Sequence, residues 1–278
     1  MGTVISKDGT PIAFDNYGAG PPVVLVGGAF QYRAFDPRTA ELARLLSARF
    51  RVFHYDRRGR GGSGDTAPHA VQREVEDLQA IIAGPGGPAS VFGMSSGAVL
   101  ALEAAARGTP ITRLALYEAP FIVDDSRPPF PPDYLAQLNK FLALGRRGGA
   151  VRFWLRMVGV PAPVVALMRC TPAWPKFKAV AHTLPYDAAI MAGTLGGVPL
   201  PTGRWTSVRV PALTVTGGKS PAWLHHGMQA LTNILPRAEN RILEGQTHMV
   251  KPEALAPVLE EFFSAGCGPA GETRHTQP

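Results

Sequence analysis

Gly93-Met94-Ser95-Ser96-Gly97 lies between an apolar run that begins at Pro88 and a small-residue run from Ser96 to Arg107. Its reading decides the fold: strand, sharp turn, helix. The G-x-S-x-G spacing puts glycine two residues before and two after Ser95. Strand and helix can then nearly touch across a turn that holds the serine hydroxyl above the edge of a sheet. The helix that follows aims its unpaired N-terminal amides and the positive end of its dipole at Ser95. A pattern with three fixed positions arises by chance in a chain with 31 glycines. The strand before it and the helix after it are what give it meaning.

Upstream, strand-like runs occur at Val4 to Ser6, Ile12 to Tyr17 and Val23 to Val26. The third is apolar throughout, as in a parallel strand buried on both faces, and it ends in Gly27-Gly28-Ala29-Phe30. Helical spacing from Phe35 to Arg49, a strand at Arg51 to Tyr55, a glycine-rich loop from Asp56 to Asp65 and helical spacing from Val71 to Ile82 complete an alternation of strands and helices. Downstream, the apolar strand Ile111 to Tyr117 ends at Glu118. Residues 119–206 then change character, with frequent prolines, aromatic residues and helical patches at Tyr134 to Leu144, Ala150 to Val158 and Pro163 to Met168. Strand and helix return at Val210 to Thr216, Pro221 to Leu235, Asn240 to Leu243 and Pro252 to Phe263. The organisation read from this is an α/β core over 1–118 and 207–264, a helical cap over 119–206, and a disordered tail over 265–278.

The chain has 278 residues, 45% of them apolar and 18% charged. Apolar runs fall short of the roughly 20 residues that cross a bilayer, and the N-terminus lacks a signal-peptide pattern, so a cytoplasmic protein is expected. Cys170 and Cys267 form neither a disulfide framework nor a metal-ligand spacing, and no metal or other cofactor is implied. The net charge of +7 comes from arginines that read as scattered. Arg57, Arg58 and Arg60, in the glycine-rich loop, and Arg146-Arg147, in the cap, are expected on a solvated surface. The expected partner is a small, apolar molecule rather than nucleic acid or a membrane, and the oligomeric state is left open.

A serine hydroxyl needs a base to take its proton, usually an imidazole oriented by a third group. Of the seven histidines, His248 lies in a loop after the last strand, where it can reach the sheet edge that carries Ser95. His54 falls in a strand, His225 and His226 on a helix, and His69, His182 and His275 in a loop, the cap and the tail.

With these features in place the chain resembles the α/β-hydrolase fold superfamily over nearly all of residues 3 to 264. The likeness rests on the elbow at Gly93 to Gly97, the glycine turn after the third strand, the Asp56 to Gly64 loop and Gly245-Gln246-Thr247-His248. It implies a mostly parallel sheet flanked by helices, with Ser95 as nucleophile, His248 as base, and an oxyanion hole from the amides of Ser96 and Ala29, with Phe30 as a neighbour able to substitute. Removing one such donor typically costs roughly 3 to 4 kcal/mol in the barrier.

The acid departs from the family pattern. Relatives commonly carry an aspartate in the turn after the strand that follows the cap, and here that turn reads Gly217-Gly218-Lys219-Ser220-Pro221. Ser220 accepts a hydrogen bond but cannot offset an imidazolium charge. A second location, used by relatives resembling haloalkane dehalogenases, is the end of the strand after the nucleophile, which here is Glu118. A carboxylate that ends a buried apolar strand is costly without a partner. Glu118 is therefore the expected acid, with Asp124 as the alternative. The expected activity is a serine hydrolase acting through an acyl-enzyme on an ester, thioester or lactone of a small apolar substrate. The same site could instead pass the acyl group to another acceptor or cyclise it without water, and the absent carboxylate at Ser220 also fits a fold that only binds a ligand.

Overall fold

The structure is a computed structural model that describes residues 1–84 and 86–265. Apart from Ala265, the tail expected to be disordered lies outside the described residues. The chain begins with strands β1 (Gly2–Ile5), β2 (Pro11–Tyr17) and β3 (Pro22–Val26), then α1 (Pro37–Leu46), β4 (Arg51–Tyr55) and α2 (Val71–Ala83). Strand β5 (Ala89–Met94), helix α3 (Ser96–Ala106) and strand β6 (Ile111–Tyr117) form the centre. Next come helices α4 (Tyr134–Ala143), α5 (Arg147–Met157), α6 (Ala162–Met168), α7 (Ala173–Ala179) and α8 (Leu184–Ile190). Strand β7 (Ala212–Gly217), helix α9 (Ala222–Ile234), strand β8 (Ala238–Leu243) and helix α10 (Pro252–Ser264) follow.

The eight strands form one sheet in the order β1-β2-β4-β3-β5-β6-β7-β8. Strands β1 and β2 run antiparallel to their neighbours, and the six from β4 to β8 are parallel. Alternation along β3 explains why its whole run is apolar. Val24 and Val26 face one core with Leu78, Ile82 and Val99, while Val23 and Leu25 face the other with Leu42, Leu46, Leu259 and Phe263. Helix α3 is walled in almost completely, which its run of Ala, Val and Leu permits. The mostly parallel, helix-flanked sheet expected from the sequence is thus the observed one.

Element boundaries differ where capping outweighs periodicity. Helix α1 starts at Pro37 rather than near Phe35, because Asp36 caps it by accepting the Thr39 amide at 3.3 Å. Helices α7 and α8 lie beyond the three helical patches expected between residues 119 and 206. Pro175 and Pro185 look like breaks, yet both sit in a first turn, where a missing amide proton costs nothing. Helix α8 packs against α2 and α3, which anchors the five-helix insertion to the sheet's helical layer.

Candidate active site

Ser95 closes β5 with φ 56° and ψ −127°, a backbone conformation that non-glycine residues seldom adopt. The flanking glycines make the turn possible. A Cβ on Gly97 would lie 2.5 Å from the Gly27 carbonyl oxygen, and one on Gly93 would lie 2.6 Å from the Ala98 Cα. The Ser95 amide donates to the Tyr117 carbonyl at 2.9 Å, so the turn is tied to the end of the next strand.

Glu118 is the residue after that strand end. It is fully buried and has φ 45°. Its carboxylate accepts from the Gly217 amide at 2.8 Å and the Ser220 hydroxyl at 2.5 Å through Oε1, and its Oε2 lies 2.7 Å from His248 Nδ1. The position commonly occupied by the family acid and the position of Glu118 therefore meet at one point. The loop that carries His248 is fixed next to it, because Tyr117 Oη donates to the Thr247 carbonyl at 2.7 Å. Burial, and then the Glu118 charge, hold the Tyr117 phenol well above its ordinary range, so it stays a donor. A carboxylate on Nδ1 fixes the imidazole tautomer that leaves Nε2 free to accept a proton. Among the described residues no hydrogen bond joins the Ser95 hydroxyl to His248. Asp124 stands apart, half exposed, bonded to His226 Nδ1 at 2.6 Å and to the Ser126 hydroxyl.

The segment after β3 carries Ala29, half-buried, and Phe30, whose φ is 64°. The Phe30 ring meets Phe177 of α7 edge-on at 5.0 Å, as does Phe35, so the insertion grips this loop through one aromatic side chain. Beneath it lies a buried ionic cluster that sequence reasoning missed. Arg57, Arg58 and Arg60 are at most 2% exposed, which corrects the expectation of a solvated surface for these three. Arg57 donates twice to Glu74, at 2.7 and 3.0 Å, and to Asp187 Oδ1 at 2.7 Å. Arg60 donates to Asp187 Oδ2 at 2.7 Å, to the Gly28 carbonyl at 2.6 Å and to Thr183 Oγ1 at 3.1 Å. Asp187 Oδ1 also accepts the Ser96 hydroxyl at 2.7 Å. Arg58 is held by Asp77, at 2.6 and 2.7 Å, and by Asp8 at 3.0 Å. Burial is tolerable because every guanidinium is paired with a carboxylate, Arg57 and Arg58 in fork geometry and Arg60 through a single bond with its other donors on Gly28 and Thr183. One signal for Asp187 was legible: from residue 134 to 186 the sequence has no acidic residue, and Asp187 is the first after Asp133. Among the described residues no group of three His, Cys, Asp or Glu side chains is arranged to hold a metal ion.

Residues 23–258 match the Alpha/beta hydrolase family. An alpha/beta hydrolase from Sphaerobacter thermophilus DSM 20745 superposes with a TM-score of 0.86 at 57% identity, over 94% of this chain and 100% of that one. The enol-lactonase of Burkholderia xenovorans LB400 shares the fold at a TM-score of 0.67 and 19% identity, over 95% and 100% of the two chains. The N-formylmaleamic acid deformylase of Pseudomonas putida S16 does so at 0.63 and 20%, over 92% and 99%. Among curated proteins none matches. With the elbow, the late histidine loop and the mostly parallel sheet, the match over residues 23–258 means that this chain is a hydrolase belonging to the alpha/beta hydrolase family.

Proposed function

We propose that the protein is a serine hydrolase that forms an acyl-enzyme on Ser95 from an ester, thioester or lactone of a small apolar substrate. The observation that carries this reading is the 2.7 Å pair between His248 Nδ1 and the buried Glu118 carboxylate, at the sheet edge where the strained Ser95 turn ends β5. In the first half-reaction His248 Nε2 takes the Ser95 proton as Oγ attacks the carbonyl carbon. Glu118 holds the ring and offsets the imidazolium charge, and the amides of Ala29 and Ser96 receive the oxyanion. His248 then returns the proton to the leaving group, and water, activated by the same imidazole, releases the acid. Serine and imidazole in an apo site often meet in hydrogen-bonding geometry only when substrate arrives. The helices between β6 and β7 act as a cap over 119–206, and Asp187 of α8, bonded to Ser96 directly and to the Gly28 loop through Arg60, supports that assignment.

Labelling with a fluorophosphonate, read by intact mass, tests the proposal. The wild type gains one adduct and Ser95→Ala gains none; a wild type that stays unlabelled sinks the reading. Product masses from a turned-over lactone separate release to water, which adds the mass of water, from transfer or cyclisation.

A further inference from the structure

The charge of this chain is not spread over it. Residues 134–186 contain eight Lys and Arg and no Asp or Glu, while the remaining 20 basic residues are outweighed by the 21 acidic ones. The whole positive excess therefore sits on helices α4 to α7, which corrects the reading of scattered arginines. All eight of these cations are exposed: Lys140, Arg146, Arg147, Arg152, Arg156, Arg169, Lys176 and Lys178. None forms an ion pair with a carboxylate of the described residues. Their contacts are to neutral groups. Arg147 reaches the Ala179 carbonyl at 3.2 Å, Arg156 the Val160 carbonyl at 3.2 Å, and Lys176 lies over the Phe35 ring at 5.4 Å.

Three of the arginines converge. Arg152 and Arg156, one turn apart on α5, and Arg169 at the end of α6 rim a shallow groove with Phe141, Phe153 and Val165 in its lining. Beside it α6 turns apolar side chains outward, with Leu167 70% and Val164 46% exposed. These two lie three residues apart and so share one face of the helix. Val165, on the groove side, is buried. Unneutralised cations around protruding aliphatic side chains match a partner that is anionic at its surface and apolar just beneath it.

We infer that the α5–α6 face of the insertion docks on an anionic phospholipid bilayer surface. Arg152, Arg156 and Arg169 meet the headgroup phosphates, and Val164 and Leu167 enter the acyl boundary. Long guanidinium side chains can stay at headgroup level while short aliphatic ones reach below them. Nucleic acid or an acidic peptide would satisfy the cations and leave Leu167 in water. The contact is peripheral, since no described helix is long and apolar enough to cross a membrane.

Co-sedimentation of the full chain with vesicles tests this without any measurement of activity. At low ionic strength the wild type pellets with mixed phosphatidylglycerol and phosphatidylcholine vesicles and not with phosphatidylcholine alone, and added salt releases it. Each cation near such a surface strengthens binding by roughly fivefold, so the triple change Arg152→Gln, Arg156→Gln, Arg169→Gln weakens it on the order of a hundredfold. Leu167→Ser weakens it severalfold at unchanged charge. All four positions are exposed, so these variants fold. Equal partition onto both vesicle types, or wild-type binding by the triple variant, overturns the inference. So does undiminished binding by Leu167→Ser, which would assign the cations to a soluble polyanion.

Discussion

The Ser96 hydroxyl donates to Asp187 Oδ1 at 2.7 Å, a bond between the residue after the nucleophile candidate and a helix of the insertion. The same carboxylate neutralises Arg57 and Arg60, and Arg60 in turn holds the Gly28 carbonyl. One buried aspartate thus ties together the insertion, the first turn of α3 and the loop after β3, the two segments proposed to supply the oxyanion amides.

Asp187→Asn removes that charge and leaves Arg60 with only neutral partners, because Glu74 serves Arg57. Breaking a buried pair from one side is expected to cost about 3–5 kcal/mol, while replacing both members by apolar residues costs far less. Urea unfolding checks both parts. Asp187→Asn lowers the midpoint steeply, and Asp187→Leu combined with Arg60→Met falls by less than the sum of the two single changes.

Changes at three oxygen-bearing side chains separate the candidate acids. Glu118→Gln keeps the shape but no longer enforces the imidazole tautomer or offsets its charge, so kcat is expected to fall by about 10⁴. Ser220→Ala removes one of three bonds to that carboxylate and is expected to cost about 1 kcal/mol, roughly a fivefold loss. Asp124→Asn, at a half-exposed site bonded to His226, leaves kcat unchanged. Steady-state kinetics on a substrate found by ester and lactone screening checks all three. Loss at Asp124 with retention at Glu118 would reverse the assignment.

The elbow was legible because its steric demand is local: Gly93, Ser95 and Gly97 fall within five residues, and the strand and helix that confirm them are adjacent. Glu118 was legible for a different reason, as a charge at the end of an apolar strand. The arginines were not. Arg57 and Arg60 lie in a glycine-rich loop that reads as surface, and their burial depends on Asp187, about 130 residues away in the helical insertion. The composition around the arginines themselves holds no trace of such a partner. Ser220 stands in the sequence where the family carboxylate is expected, and only the fold reveals it as a hydrogen-bond donor to the Glu118 carboxylate. Helices α7 and α8 were obscured because proline in a first turn and proline as a breaker look alike in sequence.

Gly97→Ala is expected to abolish activity and destabilise the fold by about 1–3 kcal/mol, since its Cβ would press on backbone that cannot swing aside. The contacts are the carbonyl oxygens of Val26 and Gly27, directly before the Gly28-Ala29 segment. Thermal unfolding and fluorophosphonate labelling rate give the check. A variant with wild-type melting and labelling would show that the approach of α3 to β3 is looser than described.

Stability is expected to decline in mild acid through His54. Its ring is 2% exposed, and Nδ1 finds no hydrogen-bond partner among the described residues. Burial holds its pKa below the ordinary 6.5, outweighing the charges of Asp36 and Asp56, which act in the opposite direction. A depressed folded-state value means that the unfolded chain binds the proton more readily. The stability is therefore fully present above pH 6.5 and is lost as pH falls from there through the folded pKa, by up to about 1.4 kcal/mol per pH unit. His182 is depressed by burial as well and adds in the same direction. Glu74 acts only at lower pH. Burial alone would raise it, but Arg57 and His69 outweigh burial and hold it well below the carboxylate range, so its contribution fades below about pH 4.5. Urea midpoints between pH 5 and 8 check the order. The wild type loses stability below 6.5, His54→Gln flattens that limb in part, and a wild-type slope in His54→Gln would assign the loss to His182 or to another group.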